Sequence, residues 1–435
     1  MTFFINTNHY IHEPFMSTIE QQYQIAKQRY ADMGVDTDAV IKKLRAISLS
    51  LHCWQADDVG GFEKPDATLE GGGIQTTGNY PGKARTISEL QGDLEFVYSL
   101  LPGKHRFNIH AIYGDFGGKL IDRDSISADQ FKSWIVWAKK LGIGMDFNST
   151  FFSHPKATDG FTLAHPDKSI REFWIEHALR CREISAHIGK ELKSRTIHNL
   201  WIPDGSKDIT VNRFYHRELL RESLDKIFTK RYDPRFMCDS VESKLFGIGS
   251  ESFVVGSHEF YLGYAVKNKM MLCIDIGHFH PTESCADKVS ALFQYIDELL
   301  FHITRGVRWD SDHVALFNDP IVELMQEIVW AEKLDKVCLG LDFFDASINR
   351  IGAYIIGARA TLKAILIALL SPITNLRNYE AAGKYFERLA LLEEYKTLPF
   401  AGVWDYYCEM NNVPVGHHYI SAIQEYEKCN LKGRK

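Results

Sequence analysis

The stretch MMLCIDIGHFHPTE at residues 270–283, followed by LLFHITRGVRWDSDH at residues 299–313, contains the most informative pattern in this sequence. Both segments begin as apolar, β-branched and aromatic runs, which are typical of buried strands. Both then end in carboxylates and imidazoles, namely Asp275, His278, His280, His302, Asp310, Asp312 and His313. Oxygen and imidazole donors are the ligands that hard or borderline divalent metals prefer. The stretch therefore predicts most of a metal site.

Six further strand-like runs surround this stretch. The eight predicted strands cover residues 47–54, 106–113, 142–149, 197–204, 238–246, 270–277, 299–304 and 337–343. Amphipathic helical segments separate them, for example at 128–140, 168–188, 212–230, 257–268 and 320–335. Because parallel strands need long crossovers, this alternation indicates βα units. Eight units favour a closed (β/α)8 TIM barrel over an open doubly wound sheet, and no GxGxxG follows the first strand.

The two ends of the chain lie outside the predicted barrel, which covers residues 17–350. Residues 1–16 are an unpatterned extension, which we expect to be dispensable because Ser17 already has capping-box spacing with Glu20. Residues 351–435 continue as helices without strands. We expect these additional C-terminal helices to make oligomer contacts, with surface decoration as the alternative.

A long glycine-rich connection at residues 55–85 follows the first strand. Loops of this length in a compact domain are usually functional, and this one leaves its strand at Trp54, on the face that carries the ligands. We expect either a lid that brings Phe62 near the substrate or an ordered oligomer-contact loop.

Composition excludes several classes of protein. The 435 residues are 45% apolar, which is ample for a large core, and the formal charge of −6 argues against nucleic acid or an anionic membrane as partner. The sequence contains no run of 18 apolar residues and therefore predicts no membrane span, and residues 1–15 lack the pattern of a secretion signal. The eight cysteines form no CxxC pair, which favours reduced thiols in a cytoplasmic protein.

Residue spacing makes the geometry of the metal site testable. Glu242 and Lys244 are two residues apart and should share one face of the fifth strand. His302 and Asp310 would be roughly 26 Å apart if the chain were extended, so it must turn back between them. Gly306 is the expected pivot, which makes residues 305–313 a ligand-bearing loop.

The candidate ligands carry more negative charge than one divalent ion neutralises. They comprise five carboxylates, Glu242, Asp275, Asp310, Asp312 and Asp342, and two histidines, His278 and His302. Two divalent ions would nearly balance this charge, and oxygen-rich ligation without thiolate indicates Mn²⁺, Mg²⁺ or Co²⁺. Taken singly, a carboxylate after a strand is more often a helix cap, and a strand histidine more often a hydrogen-bonded core residue. Their convergence after four successive strands favours the metal.

Several segments give the chain a specific resemblance to the L-rhamnose isomerase family. They are DIGHFHPTE at 275–283, RWDSDH at 308–313, GLDFFDASINR at 340–350, VESKLFGIG at 241–249, LHCWQ at 51–55, GNYPGKAR at 78–85, DGFTL at 159–163, WIPDG at 201–205 and LLEEYKTLPF at 391–400. The similarity extends from about residue 17 to about residue 430. It implies a cytoplasmic, homotetrameric (β/α)8 enzyme that depends on Mn²⁺, with Zn²⁺, Co²⁺ or Mg²⁺ as substitutes, and interconverts L-rhamnose and L-rhamnulose.

The resemblance also implies a role for each matching position. Residues that match the ligands of the structural metal are Glu242, Asp275, His302 and Asp342. Those that match the catalytic metal are His278, Asp310 and Asp312, with Asp275 in reach of both ions. Residues expected on the substrate side are Lys244, His110, Trp201 and Trp54, and the expected catalytic residues are Asp342, Lys244 and His278.

The implied reaction is a metal-assisted hydride shift between C1 and C2 of the sugar. An enediol route with Asp342 or another carboxylate as base stays open. Two other functions remain as alternatives, a two-metal barrel hydrolase and a non-catalytic sugar-binding barrel.

Overall fold

The computed structural model of the protein describes residues 17–63 and 76–434, without the side chain of Thr77. The predictions for residues 1–16 and for the middle of the 55–85 connection lie outside the described residues. Eight strands form the barrel: β1 Leu49–His52, β2 Arg106–His110, β3 Met145–Asn148, β4 Thr196–Leu200, β5 Met237–Glu242, β6 Met271–Asp275, β7 Leu299–Ile303 and β8 Val337–Leu341. Each observed strand lies inside a predicted strand or begins one residue before it.

The sheet closes on itself in chain order. Every neighbouring pair of barrel strands is parallel, and β8 pairs with β1 through Leu339–Leu49 and Gly340–Ser50. Two short pairs lie outside the barrel, Thr77–Gly78 with Asp345–Ala346 and Gly205–Ser206 with Phe253–Val254. The structure therefore confirms the predicted (β/α)8 TIM barrel.

Helices occupy the crossovers and continue beyond the last strand. Their bounds are α1 Thr18–Ala31, α2 Thr37–Arg45, α3 Ile87–Ser99, α4 Lys132–Leu141, α5 Lys168–Leu192, α6 Arg213–Ile227, α7 His258–Asn268, α8 Ala286–Leu292, α9 Asp319–Trp330, α10 Arg350–Leu369, α11 Ile373–Ala381, α12 Tyr385–Glu394, α13 Phe400–Met410 and α14 Tyr419–Tyr426. A π-helical segment, Glu427–Leu431, extends α14.

Local sequence accounts for where several helices begin and end. The Ser17 side chain accepts a hydrogen bond from the backbone N–H of Glu20, as the capping pattern predicts. Gly142 ends α4 in the left-handed conformation at φ 64°, where a Cβ would be strained. Helix α9 stops at Trp330 rather than at the predicted residue 335, because the chain turns at Glu332, whose φ is 56°.

Helix α10 completes the outer ring. It follows β8 and packs against α9, α2 and α3, which places it with the helices that surround the barrel. By length and composition it could cross a membrane, but 78% of its apolar stretch is buried inside the protein. Helix α10 is therefore a core helix, and α11 to α14 form the additional C-terminal layer.

Candidate metal centre

Four predicted ligands converge at the carboxyl ends of β5 to β8. One ligand atom from each of Glu242, Asp275, His302 and Asp342 lies within 4.8 Å of the other three. The Nδ1 atom of His302 is 3.3 Å from Glu242 Oε1 and 3.1 Å from Asp342 Oδ2. Parallel register explains the convergence, because β6 and β7 place His302 directly opposite Asp275. Glu242 and Asp342, which are 100 positions apart in the chain, thus share one ion-sized space.

The turn predicted between His302 and Asp310 is present. Arg305 and His313 form an antiparallel bridge with reciprocal backbone hydrogen bonds of 3.0 and 3.2 Å. At Gly306 a Cβ would lie 2.8 Å from the carbonyl oxygen of Trp309, so only glycine fits this hairpin. Asp312 adopts a left-handed φ of 46°, which is uncommon outside glycine and often marks functional sites.

His278 is oriented by a hydrogen bond behind it. Its Nδ1–H donates to the carbonyl oxygen of Ser243 at 2.7 Å, which leaves Nε2 facing Asp310 Oδ2 at 3.4 Å. Ligand histidines commonly use such a backbone partner to fix their tautomer. Gly277, expected to allow a turn, is needed for close approach instead: its φ is not left-handed, but a Cβ would lie 2.8 Å from Thr304 Cγ2.

The other three predicted ligands form a looser group than the first four. His278, Asp310 and Asp312 line the same cavity as Glu242, His302 and Asp342. Within the described part of the chain, however, they do not gather as one tight donor group. The structure therefore brings the donor atoms of the first four residues within reach of one ion, but not those of these three.

The electrostatics of the cluster show excess negative charge. Burial, together with the carboxylates of Asp342 and Glu242, raises the pKa of Asp275 well above its usual range. Burial also raises the pKa of Asp312, with a further contribution from Asp310. Burial lowers the pKa of His278, but Asp275, Asp310 and Glu242 outweigh it and bring it to about 9. Without bound cations, these side chains retain protons, and the retained protons reduce the negative charge of the pocket.

The donor set fits divalent metal ions. Asp275 Oδ2, Asp310 Oδ1 and His302 Nε2 are buried and have no hydrogen-bond partner. Unpartnered buried donors and acceptors are costly, and a bound cation removes that cost. Mainly oxygen ligation with imidazole suits Mn²⁺, Co²⁺ or Mg²⁺.

All four residues predicted on the substrate side line the cavity above the cluster. The rings of Trp54 and His110 pack edge to face at 4.7 Å, and Trp54 Nε1 donates to the carbonyl oxygen of Asp342 at 3.2 Å. Lys244 Nζ lies 4.9 Å from the ring centre of Trp201 and has no hydrogen-bond partner. Burial lowers the pKa of His110 to about 3, so its imidazole is neutral.

Sequence reasoning missed some residues of the site. Asn199 donates from Nδ2 to Glu242 Oε2 at 2.5 Å and lines the cavity. Among the described residues of the 55–85 connection, Val59 lines the cavity, whereas Phe62 packs edge to face against Tyr113 at 5.6 Å. The alternation of polar and apolar residues in β4 could have indicated Asn199, but nothing local in the sequence indicates Val59.

Other polar residues after strands serve the scaffold. The Asp204 carboxylate accepts the backbone N–H groups of Thr162 and Ala164, both at 2.8 Å. His280 is exposed and bonded to Thr282, and His313 contacts Ser311. These residues illustrate the capping and loop-bonding roles that compete with ligation at any single position.

A second, larger cavity lies at the opposite end of the barrel. It measures about 880 Å³ and opens among residues that precede β1, β4 and β8, including Ile47, Arg195 and Asp335. Arg106 and Asp146 inside it form an ion pair at 2.7 Å. Its lining includes His302, Asn148 and Asn199, which also line the cavity at the mouth of the barrel.

Comparison with known proteins gives a consistent family. The family model described as L-rhamnose isomerase (RhaA) matches residues 17–434. The chain is 56% identical over 409 residues to the L-rhamnose isomerase of Bacteroides thetaiotaomicron, covering 94% of this chain and 97% of that protein. It is 51% identical over 416 residues to the L-rhamnose isomerase of Escherichia coli strain SMS-3-5, covering 96% and 99%.

Similarity to solved structures is weaker. A structure of L-ribulose 3-epimerase aligns with 76% of this chain and 97% of its own at 9% identity, with a TM-score of 0.44. A score this low carries no argument about chemistry.

Proposed function

This chain belongs to the L-rhamnose isomerase family, and we propose that it interconverts L-rhamnose and L-rhamnulose by a hydride shift between C1 and C2 that depends on two divalent metal ions. The observation that carries the proposal is the donor group of Glu242, Asp275, His302 and Asp342 at the mouth of the barrel. A sugar isomerase of this type needs a centre that holds neighbouring oxygen atoms while hydrogen moves between their carbons.

We assign these four residues to the structural metal and His278, Asp310 and Asp312 to the catalytic metal. When bound, the two ions would fix the sugar oxygens, polarise the carbonyl and acidify a water molecule. Mn²⁺ is the metal we expect, because the donors are mainly oxygen with some imidazole. The unpartnered atoms Asp275 Oδ2 and Asp310 Oδ1 support one open ligand position in each group.

The protein's own side chains would bind and orient the sugar. The unpartnered Lys244 Nζ is a hydrogen-bond donor directed into the cavity, and we propose that it holds a sugar oxygen as charge develops there. The neutral His110 imidazole hydrogen-bonds Thr150 through Nδ1 at 3.1 Å, which leaves Nε2 for a sugar hydroxyl. Trp54 and Trp201 offer apolar faces to sugar C–H groups.

Asp342 would serve either route of hydrogen transfer. In a hydride shift it orients the sugar through the structural metal, and in an enediol route its carboxylate would take the C2 proton. The two routes differ in whether that hydrogen meets solvent. Tritium that leaves C2 for water during turnover would exclude the hydride shift, whereas retention of the label supports it.

We further propose that the enzyme is a cytoplasmic homotetramer. Helix α12 carries Tyr385, Phe386 and Leu389 at 63%, 80% and 60% exposure, and the segment after β4 exposes Val211 and Phe214 at 95% and 75%. Apolar side chains this exposed support burial against other copies. Light scattering of the purified protein would give the number of subunits.

The activity is tested by stripping the protein of metal, restoring Mn²⁺ and measuring ketose formation from L-rhamnose, L-lyxose and L-mannose. We expect activity on L-rhamnose only after metal is restored. Hydrolysis of model phosphate esters without isomerisation would favour a two-metal hydrolase instead. Binding of L-rhamnose without turnover would favour a sugar-binding barrel.

A further inference from the structure

Cys273 lies directly beneath the metal cluster. It is on β6, two residues before Asp275, and pairs in register with Glu242 on β5. Because residues two apart in a strand share a face, its thiol points into the barrel below the Asp275 carboxylate. There it is fully buried and packs with Ile197, Met271 and Leu300.

The Cys273 sulfur belongs to a second donor group. One ligand atom from each of Glu242, Cys273 and His302 lies within 4.8 Å of the other two. This group shares Glu242 and His302 with the upper cluster, but it has a sulfur in place of two carboxylates. His302 is 2% exposed, its Nδ1 lies 3.1 Å from Asp342 Oδ2, and its Nε2 has no hydrogen-bond partner, so the ring has a second nitrogen to offer a cation.

We propose that Glu242, Cys273 and His302 form a lower site for thiophilic divalent cations such as Cd²⁺, distinct from the oxygen-rich site above it. Thiolate ligands favour soft metals, while carboxylates favour Mn²⁺ and Mg²⁺. Binding involves no change of oxidation state: the thiol releases its proton to solvent as the bond between Sγ and the metal forms.

Competition between the two positions follows from their shared ligands. Both donor groups include Glu242 and His302, and the ligand atoms of each group lie within 4.8 Å of one another. Divalent cations in the two positions would therefore repel each other at close range, so a soft cation in the lower site displaces Mn²⁺ from the four-ligand site. The large cavity below the barrel reaches His302, which gives such a cation a path that avoids the sugar-binding mouth. Cysteine at this position thus makes the enzyme sensitive to thiophilic metals. The inference rests on the proposed role of Glu242 and His302 as metal ligands.

The lower site can be tested with Cd²⁺ as the probe. Metal-free protein titrated with Cd²⁺ should develop a thiolate-to-cadmium absorption band that saturates at one ion per chain. Cys273→Ser should lose the band and bind Cd²⁺ at least about tenfold more weakly, since even an outer-shell partner of a metal is worth about that much. Cys338→Ser is the matched control, because Cys338 also lies in the barrel wall but near its N-terminal end, and should keep the band.

A second measurement needs no variant. Protein loaded with Mn²⁺ and then given Cd²⁺ should release Mn²⁺, detected as the free-ion signal in electron paramagnetic resonance. X-ray absorption at the cadmium edge should then show one sulfur neighbour.

Cadmium bound with only oxygen and nitrogen neighbours, or a band that persists in Cys273→Ser, would overturn the lower site. Either result would leave the isomerase proposal intact if restored Mn²⁺ still supports turnover. Absence of any metal-dependent isomerisation would instead overturn the proposed function.

Discussion

The Nδ1 atom of His302, on β7, lies 3.1 Å from Oδ2 of Asp342, which follows the neighbouring strand β8. In the β7–β8 register His302 is opposite Gly340, not Asp342. A Cβ at position 340 would lie 3.3 Å from His302 Cδ2, so glycine gives the imidazole room to lean toward the carboxylate. The contact between Gly340 and His302 therefore affects both the packing of β7 against β8 and the approach of His302 to Asp342.

Asp342→Asn should separate metal binding from folding. The amide is a weaker ligand, so we expect Mn²⁺ to raise the melting temperature of the wild type but not of the variant. At about 100 times its dissociation constant a ligand stabilises the folded state by about 2.7 kcal/mol, which thermal unfolding with and without Mn²⁺ resolves easily. Asp287→Asn, an exposed change on α8, is the control. Equal stabilisation of all three proteins would remove Asp342 from the ligand set.

His278→Ala and Asp310→Asn should each abolish turnover while the barrel stays folded. Both change side chains of the looser group, and neither fills the apolar core. Elemental analysis should find one bound ion per chain instead of two. His280→Ala is a close control, since His280 is two residues away but is exposed and bonded to Thr282. An inactive variant that still holds two ions would show that His278 and Asp310 act in some other way.

Strand periodicity made the barrel and the convergence of Glu242, Asp275, His302 and Asp342 predictable. The need for a turn between His302 and Asp310 follows from chain length alone, and the hairpin at Gly306 meets it. Gly277 illustrates a limit, because sequence identifies the glycine but not whether backbone angle or close approach requires it. The answer depends on Thr304, which comes from another strand.

Contacts between strands account for what the sequence did not predict. Asn199 hydrogen-bonds Glu242 only because β4 and β5 pair with Asn199 opposite Ser240. Cys273 reads as a buried core thiol until register puts it level with Glu242. Local patterns report burial and period, whereas these roles depend on which residues of neighbouring strands are level with each other.

Acid should destabilise the protein through His105. Its Nδ1 accepts the backbone N–H of Leu49 and its Nε2–H donates to the Pro102 carbonyl oxygen, both at 3.2 Å. Burial lowers its pKa to about 4. The unfolded state therefore binds more protons between about pH 4 and 6.5, and stability falls as pH decreases through that window.

His105→Asn should remove part of this dependence, because its amide oxygen can replace Nδ1 without titrating. Between about pH 7.5 and 5, we expect the wild type to lose roughly 2 kcal/mol more of its free energy of unfolding than the variant. Urea unfolding at the two pH values measures the difference. His187→Asn, on the exposed face of α5, should behave as the wild type does. An identical pH response in His105→Asn would mean that His105 does not contribute.

The C-terminal segment fastens the connection that follows β1. Arg434 forms hydrogen-bonded ion pairs with Asp93 at 2.5 and 2.9 Å and also donates to the carbonyl oxygen of Gly82 at 3.3 Å. Glu427 accepts hydrogen bonds from Tyr80 at 3.0 Å and Asn349 at 2.8 Å. In the same connection, Thr77–Gly78 pairs with Asp345–Ala346, just after the proposed ligand Asp342.

Arg434→Met should therefore weaken both stability and sugar binding. Breaking a buried ion pair from one side costs about 3 kcal/mol, because the buried Asp93 carboxylate loses its cationic partner and keeps only the hydrogen bond from the Tyr426 hydroxyl. The double variant Asp93→Asn, Arg434→Met should recover much of that stability, since no charge is then stranded. Neither the single nor the double variant has the hydrogen bond from residue 434 to the carbonyl oxygen of Gly82. We therefore expect the Michaelis constant for L-rhamnose to be raised in both variants while kcat changes little. Thermal unfolding and steady-state kinetics of the single and double variants separate the two effects. A Michaelis constant that recovers together with stability would mean that Arg434 supports the fold alone and does not position the substrate-side connection.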